Sequence, residues 1–477
     1  MTASWRRLFQ LPPAKRQRHR IHLVGIGGTG LAPIANVLLE LGYQVSGSDR
    51  ESSIRTEVLA AAGATIHLGH DASNLIPSGP SSEPDLVLIS SAIPLDNPEI
   101  LAAQARGIPV VKRNELLGPL TANRTVIAVA GTHGKTTTTG MIAHLLTGAG
   151  LEPGYIIGSS VPDLGMSAAG KSPLFVIEAD EYDYAFLGLN PSTIVLTSLE
   201  WDHPDCFPTR EEYQMAYGQF LDQLRPGGNV IYCQDDAPLP NIFQLPEESL
   251  AWSSYGMRNG VAWKVSSVEM SPTATTYGLH TPAGEHYDVQ LAIPGLHNIL
   301  NSTGALIAAS QAGVPLTEAV ALLRSYQGAE RRFEIKGEVG DVIVIDDYAH
   351  HPTEIRTTLS AARAAYPDRD IWAVYQPHTY SRTRTFLGEF EGVFAAADQL
   401  VVTDIYAARE PQDPTINNLQ VIAASRHEQA HAIDSLPQVL DYLASHVQPH
   451  SVVLILSAGT ATWIGPELLK ALERRNA

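Results

Sequence analysis

The chain has 477 residues, of which 44% are hydrophobic, and this length suffices for about three domains that each have a core. The net charge of −18 argues against a general nucleic-acid binder, because proteins of that class normally carry an excess of basic residues. No apolar run reaches the roughly 18 residues of a membrane span, and the two cysteines, Cys206 and Cys233, indicate a reducing compartment because they lack metal-ligand spacing and cannot build a disulfide framework.

The first segment in chain order is a basic leader, residues 1–20. It contains six arginines and lysines and no apolar core of signal-peptide length, so it is not interpreted as an export signal. We expect this leader to be disordered.

The next segment carries a glycine-rich turn between a strand and a helix. Ile21 to Val24 is a predicted strand, a GxGxxG turn follows, and Asp49 stands about 20 residues further on. This pattern predicts a nucleotide diphosphate on a helix N-terminus and a ribose on the acid, and NAD and a UDP-sugar remain equally open at this point. Another strand, Asp85 to Ile89, ends in serines at the edge where such sheets bind ligands. The candidate ligand-binding residues of this first α/β domain, residues 21–121, are Gly25, Gly27, Gly28, Gly30, Asp49, Ser90 and Ser91.

A second glycine-rich turn opens the next domain. It lies between an apolar run, Thr125 to Val129, and a helical pattern that includes Met141 and Leu145. Glycines let backbone N–H groups converge on phosphate oxygens, Lys135 adds a full charge, and the Thr136 hydroxyl can hold Mg²⁺. The turn is a shortened GTxGKT form of the phosphate-binding loop, and it predicts ATP or GTP as the ligand. Its residues are Gly131, Thr132, His133, Gly134, Lys135, Thr136 and Thr137.

Charged residues follow the next two predicted strands of this domain. Leu174 to Ile177 precedes Glu178, and Thr193 to Leu196 is followed by a string that ends at His203. Since the carboxyl ends of parallel strands share one edge, Glu178 and His203 are expected near Lys135 and Thr136. Acidic oxygens beside a bound triphosphate are typical Mg²⁺ ligands.

The remaining segments of the chain predict the rest of a three-domain α/β protein. Residues 229–291 are rich in strands and predict an antiparallel insertion, after which a helix opens around Asn298 and Asn301. From about residue 329, four apolar strands alternate with helices, which predicts another doubly wound sheet. The fold prediction is a Rossmann-like domain (21–121), a central P-loop ATPase-type parallel sheet with a β-rich insertion (122–328), and a doubly wound C-terminal α/β domain (329–477).

The motifs, taken together, resemble the Mur ligases. The resemblance runs from about Ile21 to the C-terminus and is carried by the strings GTHGKTTTT, EADE, EWDH, HNILN, ERRFE and DDYAHHPTEI in this order. Its most specific parts are GIGGTG with SGSD, SSAI followed by DNPE, and DDYAHHPTE with QPHTYSRTR. The resemblance is strongest to the members that join L-alanine to UDP-N-acetylmuramate with ATP and Mg²⁺ in peptidoglycan synthesis.

The resemblance implies roles that the residues alone do not decide. The first domain is then expected to bind the UDP end of the substrate, although its turn alone would also suit NAD. Lys135 is implied on the phosphates, Thr136, Glu178 and His203 around Mg²⁺, and Asn298, Asn301, Arg332 and Asp347 on the nucleotide. Tyr348, His350 and Arg382 fall where the alanine carboxylate is bound, and His350 is a candidate for amine deprotonation. A cytoplasmic monomer or weak homodimer is expected.

Three features of the sequence help to decide which members of the family it resembles most. No lysine lies between His203 and Arg225, and the alanine-adding members likewise lack the lysine that related ligases carbamoylate there. Thr379 stands where many members have arginine, and Tyr182 follows EADE where many have serine. The tyrosine keeps open a relative that attaches a whole tripeptide to the same sugar nucleotide. An NAD-dependent dehydrogenase is the alternative of a different class.

Overall fold

The computed structural model of the chain describes residues 5–76, 83–235, 251–271 and 274–476. Its strands form three sheets that follow one another along the chain. Each sheet is wholly or mostly parallel, which is the α/β architecture predicted from the sequence.

The first sheet has five parallel strands in the order β3-β2-β1-β4-β5. Its strand order reverses between β1 and β4, and the carboxyl ends at such a point form a ligand crevice. The glycine turn follows β1, and Ser90 follows β4, so both predicted features lie at this crevice. The strands are β1 Arg20–Val24, β2 Gln44–Asp49, β3 Thr65–Leu68, β4 Leu86–Ile89 and β5 Val110–Lys112. The helices of this part are α1 Pro13–Arg16, α2 Ala32–Glu40, α3 Ile54–Ala61, α4 Pro98–Ala105 and α5 Arg113–Thr121.

The basic leader is ordered from residue 5 onward, so the prediction of disorder is wrong for the described part. Trp5–Gln10 forms a 3₁₀ helix in which Trp5, Leu8 and Phe9 are buried. The Phe9 ring lies 5.8 Å from that of Tyr43, whose hydroxyl donates to the Leu8 carbonyl at 2.8 Å. The apolar spacing i, i+3, i+4 within the basic run was the overlooked signal.

The second sheet has ten strands in the order β15-β14-β13-β12-β11-β10-β6-β9-β7-β8. The phosphate-loop strand β6 lies between β10 and β9, so the loop faces the ends of both neighbours. The strands are β6 Thr125–Ala130, β7 Gly154–Val161, β8 Gly165–Ala168, β9 Leu174–Glu178, β10 Thr193–Leu196, β11 Asn229–Cys233, β12 Ala251–Gly256, β13 Trp263–Met270, β14 Thr275–His280 and β15 His286–Leu291. The helices are α6 Lys135–Gly148, α7 Arg210–Leu221, α8 Leu296–Gln311 and α9 Leu316–Leu323.

The strand-rich segment 229–291 is antiparallel only in its second half. β11 and β12 run parallel to β10, while β13, β14 and β15 pair antiparallel. The segment therefore extends the central sheet, because Val230 and Ile231 of β11 are both fully buried and give it two covered faces. Residues 236–250 and 272–273 of the predicted insertion lie outside the described residues.

The third sheet has six strands in the order β16-β17-β21-β18-β19-β20, and only β16 is antiparallel to its neighbour. The four predicted apolar strands are its core. The strands are β16 Glu334–Val339, β17 Val342–Asp347, β18 Asp370–Gln376, β19 Gln399–Val402, β20 Ala430–Ala432 and β21 Ser451–Ser457. The helices are α10 Pro352–Ala365, α11 Tyr380–Thr385, α12 Asn418–Ser425, α13 Leu436–His446 and α14 Ile464–Asn476. Further 3₁₀ helices span Ala72–Leu75, Tyr182–Gly188, Leu387–Phe390 and Ala461–Trp463.

None of the helices in the described ranges is both long and apolar enough to cross a bilayer.

The packed leader makes a testable contribution to stability. Phe9→Ala should lower the free energy of unfolding by about 3–5 kcal/mol, the usual effect of truncating a buried phenylalanine. Urea unfolding followed by tryptophan fluorescence measures the change, with the exposed neighbour Gln10→Ala as the matched control. Equal unfolding midpoints for the two variants would show that the leader does not pack in solution.

Candidate active site

A cavity of about 860 Å³ lies where the carboxyl ends of the three sheets meet. Residues from all three sheets line it, including Gly30 after β1, Lys135 after β6 and His350 after β17. The structure thus gathers into one space side chains that lie more than 300 residues apart in sequence. The predicted site residues that line the cavity are Gly30, Thr132, Gly134, Lys135, Thr136, Glu178, His203, Arg332, Tyr348, His350 and Arg382.

The phosphate loop joins β6 to α6 as the sequence predicted. Gly134 has φ +79°, and a Cβ there would lie 2.3 Å from the Asn301 Oδ1 atom, so both backbone conformation and close packing require glycine. The Lys135 ammonium folds back over the loop, donating to the Gly131 carbonyl at 2.6 Å and the Thr132 carbonyl at 3.1 Å. This helix N-terminus is suited to an anion because its first N–H groups lack helical partners.

Lys135 also pairs with Glu181, a residue that the sequence analysis did not single out. Its Nζ atom lies 2.9 Å from a carboxylate oxygen of Glu181, which is fully buried. Burial disfavours the lysine's charge, yet the carboxylates of Glu181, Asp180 and Glu178 outweigh it and raise the pKa of Lys135. The lysine is therefore a permanent cation in the loop.

Thr136 and Glu178 form the oxygen pair expected of a magnesium site. The Thr136 hydroxyl donates to a Glu178 oxygen at 3.1 Å, and the other oxygen accepts the Gly158 N–H at 2.8 Å. The surrounding protein desolvates this carboxylate and raises the pKa of Glu178, against the opposing charges of Lys135 and Arg332. A hydroxyl and a carboxylate beside a phosphate loop suit Mg²⁺, which prefers oxygen ligands and retains waters.

His203 lies in the same cavity but has different partners. Its Nε2 atom is 3.6 Å from a Glu181 oxygen, and its Nδ1 atom is 3.2 Å from the Arg382 Nη2 atom. His203 thus lines the same cavity as Thr136 and Glu178. Its own contacts, however, are with Glu181 and with Arg382 of the third domain. An imidazole nitrogen is also a less usual magnesium ligand than an oxygen.

The third domain contributes Arg332 and Tyr348 to the cavity, whereas Asp347 does not line it and instead holds the segments that carry them. The Arg332 Nη2 atom lies 3.5 Å from the Thr136 hydroxyl, and its Cζ atom lies 5.3 Å from the Tyr348 ring centroid. Asp347 accepts the N–H groups of Phe333 and Ala349 at 2.8 and 2.7 Å, which ties the two loops together. Burial raises the pKa of Asp347 to about 6 despite the nearby Arg332.

His350 and Arg382, both predicted to bind the amine substrate, line the cavity, and each already has hydrogen-bond partners in the protein. The His350 Nδ1–H group donates to the Tyr348 carbonyl at 2.9 Å, and burial lowers its pKa to about 4. Arg382 donates from Nε and Nη2 to one Asp202 oxygen at 3.0 and 2.8 Å. Burial opposes both charges of this pair, but their attraction raises the pKa of Arg382 and holds that of Asp202 well below its usual range.

The predicted UDP-sugar residues surround the crevice of the first sheet. The Asp49 carboxylate accepts the Gly27 N–H at 2.8 Å, so the acid also fixes the glycine turn. Ser91 donates to Asp183 of the second domain at 2.7 Å. A Cβ on Gly30 would lie 2.8 Å from the Arg113 Nη1 atom, which places a guanidinium against the turn. Of the seven predicted residues, Gly30 lines the shared cavity, and the other six are not among the residues that line it.

Other predicted nucleotide residues support the loop without lining the cavity. Asn301 donates to the Asn298 side-chain oxygen at 3.3 Å, and Asn298 donates to the Pro294 carbonyl at 2.6 Å. Both asparagines are buried, and Asn301 lies against Gly134. Gly131 and Thr137 likewise belong to the loop and to α6, and do not line the cavity.

His133 of the phosphate loop bridges two domains. Its Nε2 atom is 2.7 Å from Glu200, and its Nδ1 atom is 3.1 Å from Glu354 of α10. Burial disfavours the imidazolium, but the two carboxylates outweigh it and raise its pKa to about 10. His133 therefore acts as a charged link from the loop to the third domain, a role that its motif position did not reveal.

Several cavity residues were missed by the sequence analysis. Arg113 pairs with Asp180 at 2.5 Å, and Arg55 donates to the Gly27 carbonyl at 2.7 Å, yet neither stands in a motif. Asp202 and His378 lie inside quoted strings, so their neighbours offered a signal. Two further missed cations are Arg331, which lies inside the quoted ERRFE string, and Arg409, which follows β19 without any motif.

Comparison with known families finds three matches that together span most of the chain. The Mur ligase family, catalytic domain, matches residues 20–125, and the Mur ligase middle domain matches residues 129–309. The Mur ligase, glutamate ligase domain, matches residues 331–459. The GxGxxG turn thus lies within a Mur ligase domain, which removes the support for the dehydrogenase alternative.

Individual relatives match over nearly the whole chain. The UDP-N-acetylmuramate–L-alanine ligase of Chloroflexus aggregans is 40% identical and covers 96% of this chain and 99% of its own length. That of Saccharopolyspora erythraea is 41% identical, with coverages of 96% and 94%. Among solved structures, the UDP-N-acetylmuramate–alanine ligase of Thermotoga maritima matches with a TM-score of 0.79 and 25% identity, covering 96% of this chain and 99% of its own. A murein peptide ligase from Psychrobacter arcticus matches with a TM-score of 0.71 and 26% identity, covering 95% and 98%.

The His133 bridge predicts an unusual titration. Because its folded-state pKa of about 10 lies above the ordinary 6.5, the bound proton stabilises the fold fully below about pH 6.5, and this stabilisation is lost as the pH rises through 10. Histidine NMR, with the signal assigned by its absence in His133→Gln, should show an imidazolium at pH 8, which is about two pH units below the raised pKa. Glu354→Gln should lower this pKa, whereas a wild-type signal that titrates near the ordinary value would refute the bridge.

Proposed function

Because the chain belongs to the Mur ligase family, we propose that it is an ATP-dependent ligase that joins L-alanine to UDP-N-acetylmuramate in peptidoglycan synthesis. The observation that carries the proposal is the match of 36–41% identity to curated UDP-N-acetylmuramate–L-alanine ligases over 94–98% of the chain. The cavity supports it because a phosphate loop, a cation-lined wall and the end of the first sheet open into one space. Because the proposed reaction requires ATP, we propose a cytoplasmic location for the protein.

Each domain has a proposed share of the substrates. The first domain, residues 21–121, binds the UDP-sugar with its glycine turn, Asp49 and the serines after β4. The second domain, residues 122–328, binds ATP on the loop around Lys135, with Asn298 and Asn301 near the base. The third domain, residues 329–477, contributes Arg332 and Asp347 to the nucleotide site, and Tyr348, His350 and Arg382 to the amine site.

The reaction then proceeds in two steps. The lactyl carboxylate of the sugar nucleotide attacks the γ-phosphate of ATP, giving an acyl phosphate and ADP. The amine of L-alanine attacks the acyl carbon, and the tetrahedral intermediate collapses to the amide and inorganic phosphate. Lys135 stabilises the charge on the transferring phosphoryl group because its ammonium stays protonated in the loop. Mg²⁺, when held by Thr136 and Glu178 with His203 nearby, would neutralise further phosphate charge.

The links between the second and third domains suit a closing motion. His133 contacts Glu354, and Asp202 contacts Arg382, so charged groups of both domains meet across the cavity. Gly328, with φ +94°, lies in the connection between the domains and can absorb the backbone change. Closure excludes water that would otherwise hydrolyse the acyl phosphate.

The choice of amine tests the proposal directly. Phosphate release from ATP should require UDP-N-acetylmuramate and should occur with L-alanine at lower concentration than with the L-Ala-γ-D-Glu-diaminopimelate tripeptide. The tripeptide is the informative competitor because a murein peptide ligase also shares this fold. Release with the tripeptide alone would reassign the enzyme to that activity.

Lys135→Ala separates the roles of the domains. Removal of the cation should lower kcat by at least about 100-fold, the usual magnitude when a charge-stabilising group is lost, while UDP-N-acetylmuramate binding stays unchanged. Steady-state phosphate release and calorimetric titration with the sugar nucleotide measure the two quantities. Loss of sugar-nucleotide binding with intact ATP turnover would reverse the domain assignment.

A further inference from the structure

Arg409 lines the cavity, and its guanidinium donates no hydrogen bond to any of the described residues. Seven lysine and arginine side chains line the cavity. Six of them donate hydrogen bonds to protein oxygens, namely Arg55, Arg113, Lys135, Arg331, Arg332 and Arg382. Arg409 donates none to any residue in the described ranges, so its guanidinium retains its five N–H donors for a ligand.

The ring of Tyr182 holds the guanidinium in place without consuming its donors. The Arg409 Cζ atom lies 4.7 Å from the Tyr182 ring centroid, and the Tyr182 hydroxyl donates to Asp205 at 3.0 Å. A cation over an aromatic face is attracted by the ring and keeps its edge open. The arginine is therefore oriented before a ligand binds, so its side chain loses little conformational entropy when an anion binds to it.

The backbone around Arg409 places it beside the amine side of the cavity. Thr379 N–H donates to the Tyr406 carbonyl at 2.9 Å, and the Glu410 carboxylate accepts the Ser381 N–H at 3.0 Å. These bonds fasten the loop after β19 to the start of α11, the helix that carries Arg382. His203 links the two arginines, because its Nδ1 atom contacts Arg382 and its ring packs 5.2 Å from that of Tyr182.

Arg382, which shares the proposed amine site, already has protein partners for three of its nitrogens. Two of its nitrogens are bound to Asp202, and its Nη1 atom lies 3.3 Å from the His378 Nδ1 atom. Both members of the Arg382–Asp202 pair are buried, at 7% and 5% exposure. Drawing Arg382 onto a ligand would leave Asp202 buried without its cation, and an uncompensated buried charge is strongly destabilising.

We propose that Arg409 binds the carboxylate of the incoming L-alanine and thereby selects a free amino acid as the amine substrate. This inference rests on the proposed ligase activity. In a peptide that begins with alanine, the corresponding carboxyl group is an amide without charge, so it cannot pair with the guanidinium. Arg409 accordingly lowers the KM for L-alanine and disfavours peptide amines.

The experiment removes the two charges separately, one from the protein and one from the substrate. In Arg409→Gln, the KM for L-alanine should rise on the order of 10- to 100-fold, the range for a lost charge-assisted hydrogen bond. The KM values for ATP and UDP-N-acetylmuramate should stay within about twofold, because the substitution removes an interaction with L-alanine alone. The preference of kcat/KM for L-alanine over L-alaninamide should fall by the same factor as the KM change.

Two further variants sharpen the result. Arg409→Lys keeps the charge and should lie between wild type and Arg409→Gln, while Arg426→Gln removes an exposed arginine of the same domain outside the cavity and should change nothing. Equal losses with L-alanine and L-alaninamide would mark Arg409 as a structural contact and overturn the inference, as would an unchanged KM for L-alanine. Failure of the wild type to release phosphate with L-alanine would instead refute the proposed ligase activity.

Discussion

The cavity depends on the neutralisation of three carboxylates at the carboxyl end of β9. Glu178, Asp180 and Glu181 lie within four residues of one another, and Glu181 is fully buried. Their cations come from different domains: Lys135 pairs with Glu181, Arg113 of the first domain pairs with Asp180, and the charge of Arg332 from the third domain acts on Glu178. Since an unpaired buried charge is strongly destabilising, the cations from the first and third domains favour the packing of both domains against this acidic strand end.

The same pairing principle joins the second domain to the third. Asp202 and Arg382 form a buried ion pair, and His133 lies between Glu200 and Glu354. Glu354 also accepts the His350 N–H at 3.1 Å, so it connects the phosphate loop with the segment proposed to meet the amine. The proposed nucleotide and amine sites thereby share a continuous set of charged contacts, so a shift of one domain would alter both sites together.

These contacts explain how a chain with a net charge of −18 would bind the anionic substrates proposed for it. Its cavity cations are numerous, but most of them already pair with carboxylates or carbonyls of the protein. The phosphates of the proposed substrates would therefore meet cations that are held in place and partly neutralised. A cation with open donors, such as Arg409, stands out in this environment because its charge is not offset by a hydrogen-bonded partner.

The amino-acid sequence by itself determined the local parts: the two glycine turns, the strands that precede them, the acidic strand ends and the parallel α/β class. These features follow from spacing within a few residues, where backbone geometry leaves few alternatives. Tertiary structure alone decided that residues 5–10 pack on Tyr43, that β11 and β12 extend the central sheet, and that Arg113 and Arg382 pair with Asp180 and Asp202. A charge carries no sequence signal for its partner, because the pairing energy depends on distance and burial, and both arise only when separate elements pack together.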